Sequence, residues 1–365
     1  MLPPLLKTKD LKVERGGLDV LEIPDFSVQE GEVLAIIGPN GAGKTTFLLT
    51  LARLLKPSQG DLIFKGQSID LPEIAFSYRR KLAMVFQEPL LLDTTVFNNV
   101  AAGLKIRKMG KKEIEKRVAE YAGLVGISHL LDRSARKLSG GEAQRTSLAR
   151  AFAVEPEIIL LDEPLANLDA PSRSLLIDDL HRLLRQTETT AILATHDRLE
   201  ALRLADRLAV MAGGRIIQMG ACNEVMNHPV DEVAASFVGM ETVFYGCVQK
   251  VYDGSFIVSV SGHDIEALGD VEVGEKVVCC IRPEHIIIST HKAGEGTSIR
   301  NNLPGRIVKI VPHGHFYKIH LDCGFFIASY ITHQSLEALS LREEKPVTAS
   351  FKATAVHVIR RGKRL

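Results

Sequence analysis

The sequence has almost no net charge: 45 Lys and Arg stand against 44 Asp and Glu, leaving +1 at pH 7 with histidine neutral. A chain so balanced offers no basic field, which gives no reason to expect nucleic acid as a partner. Long hydrophobic runs are missing as well. No segment approaches the roughly 18 apolar residues that cross a bilayer as a helix. The start, MLPPLLKTKD, has no positive stretch ahead of an apolar core, so it does not read as a secretory signal. Together these absences predict a cytoplasmic location. Paired cysteines are lacking too. Cys222, Cys247, Cys279, Cys280 and Cys323 are odd in number, none is spaced C-x-x-C, and none has a histidine nearby at zinc spacing. Reduced, mostly buried thiols are expected, with Cys279 and Cys280 pointing to opposite faces of one strand.

What is present is ordinary in bulk. The 365 residues suggest two or three domains, at about 150 residues each. A hydrophobic content of 45% and a charged content of 24% suit a globular protein.

The informative stretch is 34–48, LAIIGPNGAGKTTFL. Gly38, Gly43, Lys44 and Thr45 stand in the spacing G-x-x-x-x-G-K-[ST]. Apolar residues 33–37 before it read as a buried strand, and 45–55 after it as a helix broken by Pro57. In that context the motif means a phosphate-binding loop. Its glycines let successive N–H groups turn inward, and the following helix adds its positive end. The whole run Gly38, Pro39, Asn40, Gly41, Ala42, Gly43, Lys44, Thr45 and Thr46 is therefore assigned to nucleotide binding. Lys44 is expected to reach the β- and γ-phosphates, and the Thr45 hydroxyl to ligate Mg²⁺.

Around this loop the chain reads as an α/β domain. Two short antiparallel strands are expected within 11–28, a strand–turn unit in DLIFKGQSI, and a strand ending at Gln87. Residues 90–137 turn helical: Ile114, Val118, Ala122 and Val125 make one apolar stripe. A helix is expected over 138–154, opened by Ser139 and Glu142 as a capping box. Further expectations are a strand over 157–161, a helix over 171–186, a strand in TTAILAT and a helix over 198–205. A hairpin closed by Gly213 and Gly214 and a last helix over 230–238 complete the domain.

Three apolar strands end in reactive residues: the phosphate loop, Asp162 with Glu163, and His196. Ligand sites in open parallel sheets gather at the carboxyl ends of the strands, so these motifs should meet. Asp162 is placed to hold Mg²⁺, and Glu163 to orient and deprotonate the attacking water. His196 can donate to the γ-phosphate, and Gln87 can sense the metal and the water. Phosphoryl transfer needs little beyond such positioning and charge neutralisation.

With LSGGEAQR (138–145), the VFQEP loop, LLDEP, LANLD ending at Asp169, and ATHD, the first 240 residues or so resemble the ATP-binding cassette family. The resemblance implies an ATPase with ATP and Mg²⁺ as cofactors. It implies two copies of the chain sandwiching two ATP molecules, with Ser139, Gly140, Gly141 and Asp169 of one copy facing nucleotide on the other. A helix N-terminus at 139–141 is consistent with a second anion site. Partners would be membrane-spanning permease subunits and, indirectly, a solute-binding protein; the chain would be peripheral on the cytoplasmic face. Two departures stand out. The fifth signature position, usually Gln, is Glu142. Residues 8–25 contain no aromatic to stack on adenine; Arg15 lies about where that residue belongs, and a planar guanidinium can stack on a base.

Beyond 240 the pattern becomes short β-type runs punctuated by Gly, Asp, His and Pro, the mark of an all-β barrel of OB type. The expected division is thus a cassette over 1–240, with its helical insertion at 90–137, and an OB-like regulatory domain over 241–365. FYGCVQKVYDGSFIVSVS and LPGRIVKIVPHGHFYKIHL suggest an internal repeat. IRPEH resembles the regulatory domain of importer ATPases. TSIRNNLPGRI (297–307) resembles the start of the Mop-type domain of molybdate and tungstate importer ATPases, with Thr297, Ser298, Arg300 and Asn301 as donors for an oxyanion. Oxyanion import is the reading this favours. Import of sulfate, ferric iron, a polyamine or a sugar, and a soluble cassette ATPase outside transport, are the alternatives.

Overall fold

All five side chains of the strand Val33–Ile37 are buried, as expected of a strand covered on both faces of a parallel sheet. In the computed structural model, which describes residues 3–290 and 297–360, this strand lies inside a six-stranded sheet. The order runs Arg215–Ala221, Arg207–Ala212, Val33–Ile37, Thr190–Thr195, Ile158–Asp162, Leu82–Val85. Its neighbours pair in parallel except for the outer hairpin, which is antiparallel. The carboxyl ends of the phosphate-loop strand, Ile158–Asp162 and Thr190–Thr195 therefore lie side by side.

The early antiparallel pair is longer than expected and belongs to a second sheet. Leu6–Arg15 and Leu18–Val28 pair with each other, and Gln59–Phe64 and Gln67–Ser68 extend that sheet. Phe26 of this sheet meets Phe47 of the phosphate-loop helix edge to face, with centroids 4.9 Å apart, one of the favoured aromatic geometries. That helix, Lys44–Leu51, ends earlier than 55. The cause is local: Arg53 takes φ 55°, and the N–H groups of Leu54 and Leu55 both turn back to Leu49 O at 3.0 and 3.1 Å.

The helical insertion consists mainly of Val96–Ile106 and Lys111–Leu124. Ile114, Val118, Ala122 and Val125 are buried, as the stripe required, and share one core with Leu148 and Phe152 of the helix Gly140–Phe152.

The chain divides into two compact units between Val225 and Met226. The second holds two five-stranded antiparallel sheets, which bears out an all-β region. Its first sheet runs His263–Leu268, Ser255–Val260, Thr242–Val251, Lys276–Ile281, His357–Arg360. The other runs Ile287–Ser289, Pro346–Phe351, Asn301–His313, Phe316–Asp322, Phe326–Thr332. The internal repeat is real at this level. Thr242–Val251 and Asn301–His313 each open a hairpin, with a register shift at Val248/Lys250 in one and Ile307/Lys309 in the other. Gly246 and Gly305 fall at matching places: an added Cβ would lie 2.0 Å from Val258 Cγ1 or 2.3 Å from Cys323 Sγ. Each half lends its last strand to the other half's sheet, Ile287–Ser289 beside Pro346–Phe351 and His357–Arg360 beside Lys276–Ile281. The strands His263–Leu268 and Ile287–Ser289 and the helix His333–Ala338 were not anticipated. Each spans six residues or fewer, too short for a periodic signal to stand out.

All five cysteines are free, and four of them are buried. Burial pushes the Cys279, Cys280 and Cys323 thiols up to about 12, which makes them inert.

Candidate active site

The phosphate loop can exist only where side chains are absent. A Cβ on Gly38 would sit 2.1 Å from Met211 O, and Gly43 takes φ 101° with a would-be Cβ 2.8 Å from Leu21 Cδ2. The loop frames a cleft of about 420 Å³ lined by residues 39–46 together with Arg15, Val20, Gln87 and Glu163. Lys44 is 5% exposed. Its ammonium donates to Gly38 O at 2.9 Å and Pro39 O at 3.2 Å, and lies 3.5 Å from Glu163 Oε1.

Asp162 ends the strand Ile158–Asp162 and is 5% exposed. The Thr45 hydroxyl donates to Asp162 Oδ1 at 3.1 Å, the one hydrogen bond to this carboxyl among the described residues. Burial raises the Asp162 carboxyl above the usual range, and the Thr45 hydrogen bond opposes that shift. A carboxylate this short of compensation, hydrogen-bonded to a hydroxyl of the phosphate loop, fits a divalent cation.

Glu163, the next residue, holds φ 45°, a left-handed conformation that costs a side-chain-bearing residue free energy and collects at functional sites. Its N–H is anchored on Ala194 O at 2.8 Å. The turn aims its carboxylate between the Lys44 ammonium on one side and the His196 ring on the other, with Nδ1 at 3.1 Å from Oε2. Three motifs spread along the chain from Lys44 to His196 thus meet at one carboxylate.

Other expected residues are elsewhere. Ser139, Gly140, Gly141 and Asp169 do not line this cleft. Ser139 and Glu142 form the full capping box: Glu142 N donates to Ser139 Oγ at 3.3 Å and Ser139 N to Glu142 Oε2 at 2.7 Å. The bond from the Ser139 N–H holds the Glu142 carboxyl below its usual range. Asp169 caps the helix Ala170–Thr187 by accepting from Ser172 N at 2.8 Å. In the second unit the Asn301 amide is already committed. It accepts from Glu266 N at 2.8 Å and donates to Glu266 O at 2.9 Å, which uses one of its two N–H donors in a side chain that is 2% exposed. Thr297, Ser298 and Arg300 leave their side chains more open.

Several participants were not singled out by the sequence. Asn167 Nδ2 donates to Gln87 O at 3.3 Å, and Arg150 donates to Pro89 O and Leu90 O, both at 2.9 Å. Thr195 donates to buried Glu200 at 2.6 Å, directly behind His196. Asn167 lies within LANLD and Thr195 within ATHD, while Arg150 and Glu200 lie outside every motif quoted above.

A glycine loop between a buried parallel strand and a helix, with an acidic pair at the end of a strand two places away in the same sheet, defines a P-loop nucleoside-triphosphatase domain. The ABC transporter family matches residues 21–166, and the TOBE domain matches 297–358. The molybdate/tungstate import ATP-binding protein of Pyrococcus horikoshii is 40% identical over 358 residues, covering 97% of this chain and 99% of that one. The trehalose/maltose import ATP-binding protein of Thermococcus litoralis is 35% identical, covering 94% of each chain. The spermidine/putrescine import ATP-binding protein of Trichodesmium erythraeum is 35% identical over 87% of this chain and 84% of its own. Among solved structures, cbiO1 of Clostridium perfringens, part of an ABC transporter complex, matches with a TM-score of 0.57 and 33% identity, covering 61% of this chain and 90% of that one. The chain belongs to the ATP-binding cassette family, as an ATP-binding subunit of the import type, an ATPase coupled to transport.

Proposed function

We propose that this ATPase energises uptake of an oxyanion, tungstate or molybdate. The observation that carries the reading is the end-to-end likeness to the molybdate/tungstate import protein, which includes the β region as well as the cassette. The relatives named for polyamine and sugar import, at lower identity, keep those solutes as the second reading. Purifying the chain with its membrane subunits and solute-binding protein in vesicles tests it. Uptake measured as W and Mo by elemental analysis should exceed that of sulfate, spermidine and maltose; preferential uptake of any of the latter three refutes the assignment.

In the cleft, Lys44 leaves its carbonyls for the β- and γ-phosphates, to which an ammonium gives charge-assisted hydrogen bonds. Arg15, at the cleft's rim, stacks on the base. Thr45, Asp162 and Gln87 would hold Mg²⁺, which when bound would neutralise phosphate charge. Glu163 takes the proton of the attacking water, and His196 steadies the developing charge from the opposite side. Residues 139–141 and Asp169 serve the partner copy's nucleotide in a sandwich dimer; this accounts for their distance from the cleft in their own chain.

The membrane side is read from a second cleft, of about 450 Å³, between the helix Pro72–Arg80, the strand Leu82–Val85 and the helix Val96–Ile106. Phe76 and Ile106 at its edge are 57% and 82% exposed. An amphipathic helix of a permease fits such a groove, next to the Gln87 loop that Arg150 ties to the signature helix. On this reading the chain sits on the inner face of the membrane; among the described residues no helix is long and apolar enough to cross it. The β region over 241–365 then acts as a regulatory domain, with an oxyanion held near 297–302 by Thr297, Ser298 and Arg300.

A further inference from the structure

The groups assigned to catalysis leave Arg173 unexplained. It stands in the first turn of the helix Ala170–Thr187 and reaches in two directions. One terminal nitrogen donates to Asp197 Oδ2 at 3.4 Å; the other donates to Leu168 O at 3.2 Å and Ala166 O at 3.5 Å. Its Nε is buried with no partner among the described residues. Burying that nitrogen unpaired is costly, so the arm is held in place by the contacts at its tip.

Those contacts join the two sides of the reaction centre. On one side, Asp197 follows His196 and caps the helix Arg198–Leu204, accepting from Leu199 N at 2.8 Å. The Asp197 N–H donates to Thr195 Oγ1 at 3.0 Å, and Thr195 donates to Glu200, which is 3% exposed. His196 therefore projects from a turn whose flanking residues are both fixed. On the other side, 166–168 continue directly from Glu163, with Ala166 N donating to Glu163 O at 3.2 Å. Asn167 carries the same loop on to Gln87. Glu163 and His196 themselves touch only through flexible side chains, and the backbone bond from Glu163 N to Ala194 O holds the strand ends together before the His196 turn begins. Arg173 supplies a further tie beyond that point, between the backbone of one loop and the capping carboxylate of the other.

We propose that Arg173 is a positioning residue for hydrolysis, holding the His196 turn in register with the loop that carries Glu163. It does not line the nucleotide cleft and acts through His196, so the proposal rests on the role given to that histidine above.

Arg173→Met keeps the length of the arm and removes its hydrogen bonds. In the full chain, kcat for ATP should fall about tenfold with KM within about twofold, the mark of a change expressed in the transition state. Arg173→Lys should recover part of the loss. In a His196→Ala background, read by single-turnover kinetics, Arg173→Met should change the rate by less than about twofold, because residues acting as one unit are not additive. Losses that multiply, or a normal kcat in Arg173→Met, overturn the proposal while leaving His196 in its role. A normal kcat in His196→Ala overturns both. Should Arg173→Met not fold, Asp197→Asn breaks the other end of the tie and must show the same kcat loss and the same non-additivity.

Discussion

Replacing Glu163 by glutamine isolates its negative charge from everything else the residue does. The left-handed turn and the N–H bond to Ala194 O are backbone features and survive. The side chain is 15% exposed and glutamine has the same volume, so no cavity opens. Lys44 keeps its two loop carbonyls at 2.9 and 3.2 Å and stays poised for phosphate. What disappears is the acceptor 3.1 Å from His196 that would take the proton of the attacking water. Losing a general base lowers turnover by about 10²–10⁴-fold, or about 3–5 kcal/mol of barrier. ATP affinity should hold or tighten, because a negative charge near the γ-phosphate is gone. The protein should then accumulate as an ATP-bound dimer. Phosphate release and size-exclusion chromatography with ATP and Mg²⁺ measure the two effects. Turnover within about threefold of wild type would remove Glu163 from the role of base. Loss of ATP binding with turnover per bound nucleotide intact would make it a binding residue instead.

Lys44→Ala should abolish ATP binding in equilibrium titration, since the polyphosphate loses a charge-assisted contact in a nearly closed site. Asp162→Asn should raise the melting temperature of the nucleotide-free protein at pH 7 while ending hydrolysis. Burial raises the Asp162 carboxyl, so the folded state holds its proton more tightly than the unfolded chain does. The stability this group contributes is present below the unfolded carboxylate range and lost as pH rises through the folded value, so the gap between variant and wild type should close on acidification. Thermal scans from pH 4 to 8 check the sign. A cysteine at Glu88 should cross-link to a permease subunit in the assembled transporter; links formed only from the β region would refute the docking groove.

The sequence by itself determined the class of the site. Gly38 to Thr46, Asp162, Glu163 and His196 each stand at the end of an apolar strand, and in a parallel sheet strand ends share one edge. Local pattern therefore implied a common site without any knowledge of distance. The amphipathic stripe from Ile114 to Val125 and the capping box at Ser139 were legible for the same reason, since neighbours in sequence settle both. Tertiary structure alone decided the rest. The first strands form their own sheet because their pairing with Gln59–Phe64 links residues some fifty positions apart. The halves of the β region exchange last strands, which a repeat in sequence cannot express because either pairing satisfies the same alternation. Asn301 looks like a free donor in the sequence and is spent on the backbone of Glu266. Arg173 looks like a solvated helix residue, yet it spans two loops, because the reach of a long side chain is set by what the fold places within a few ångströms of its tip and not by any spacing along the chain.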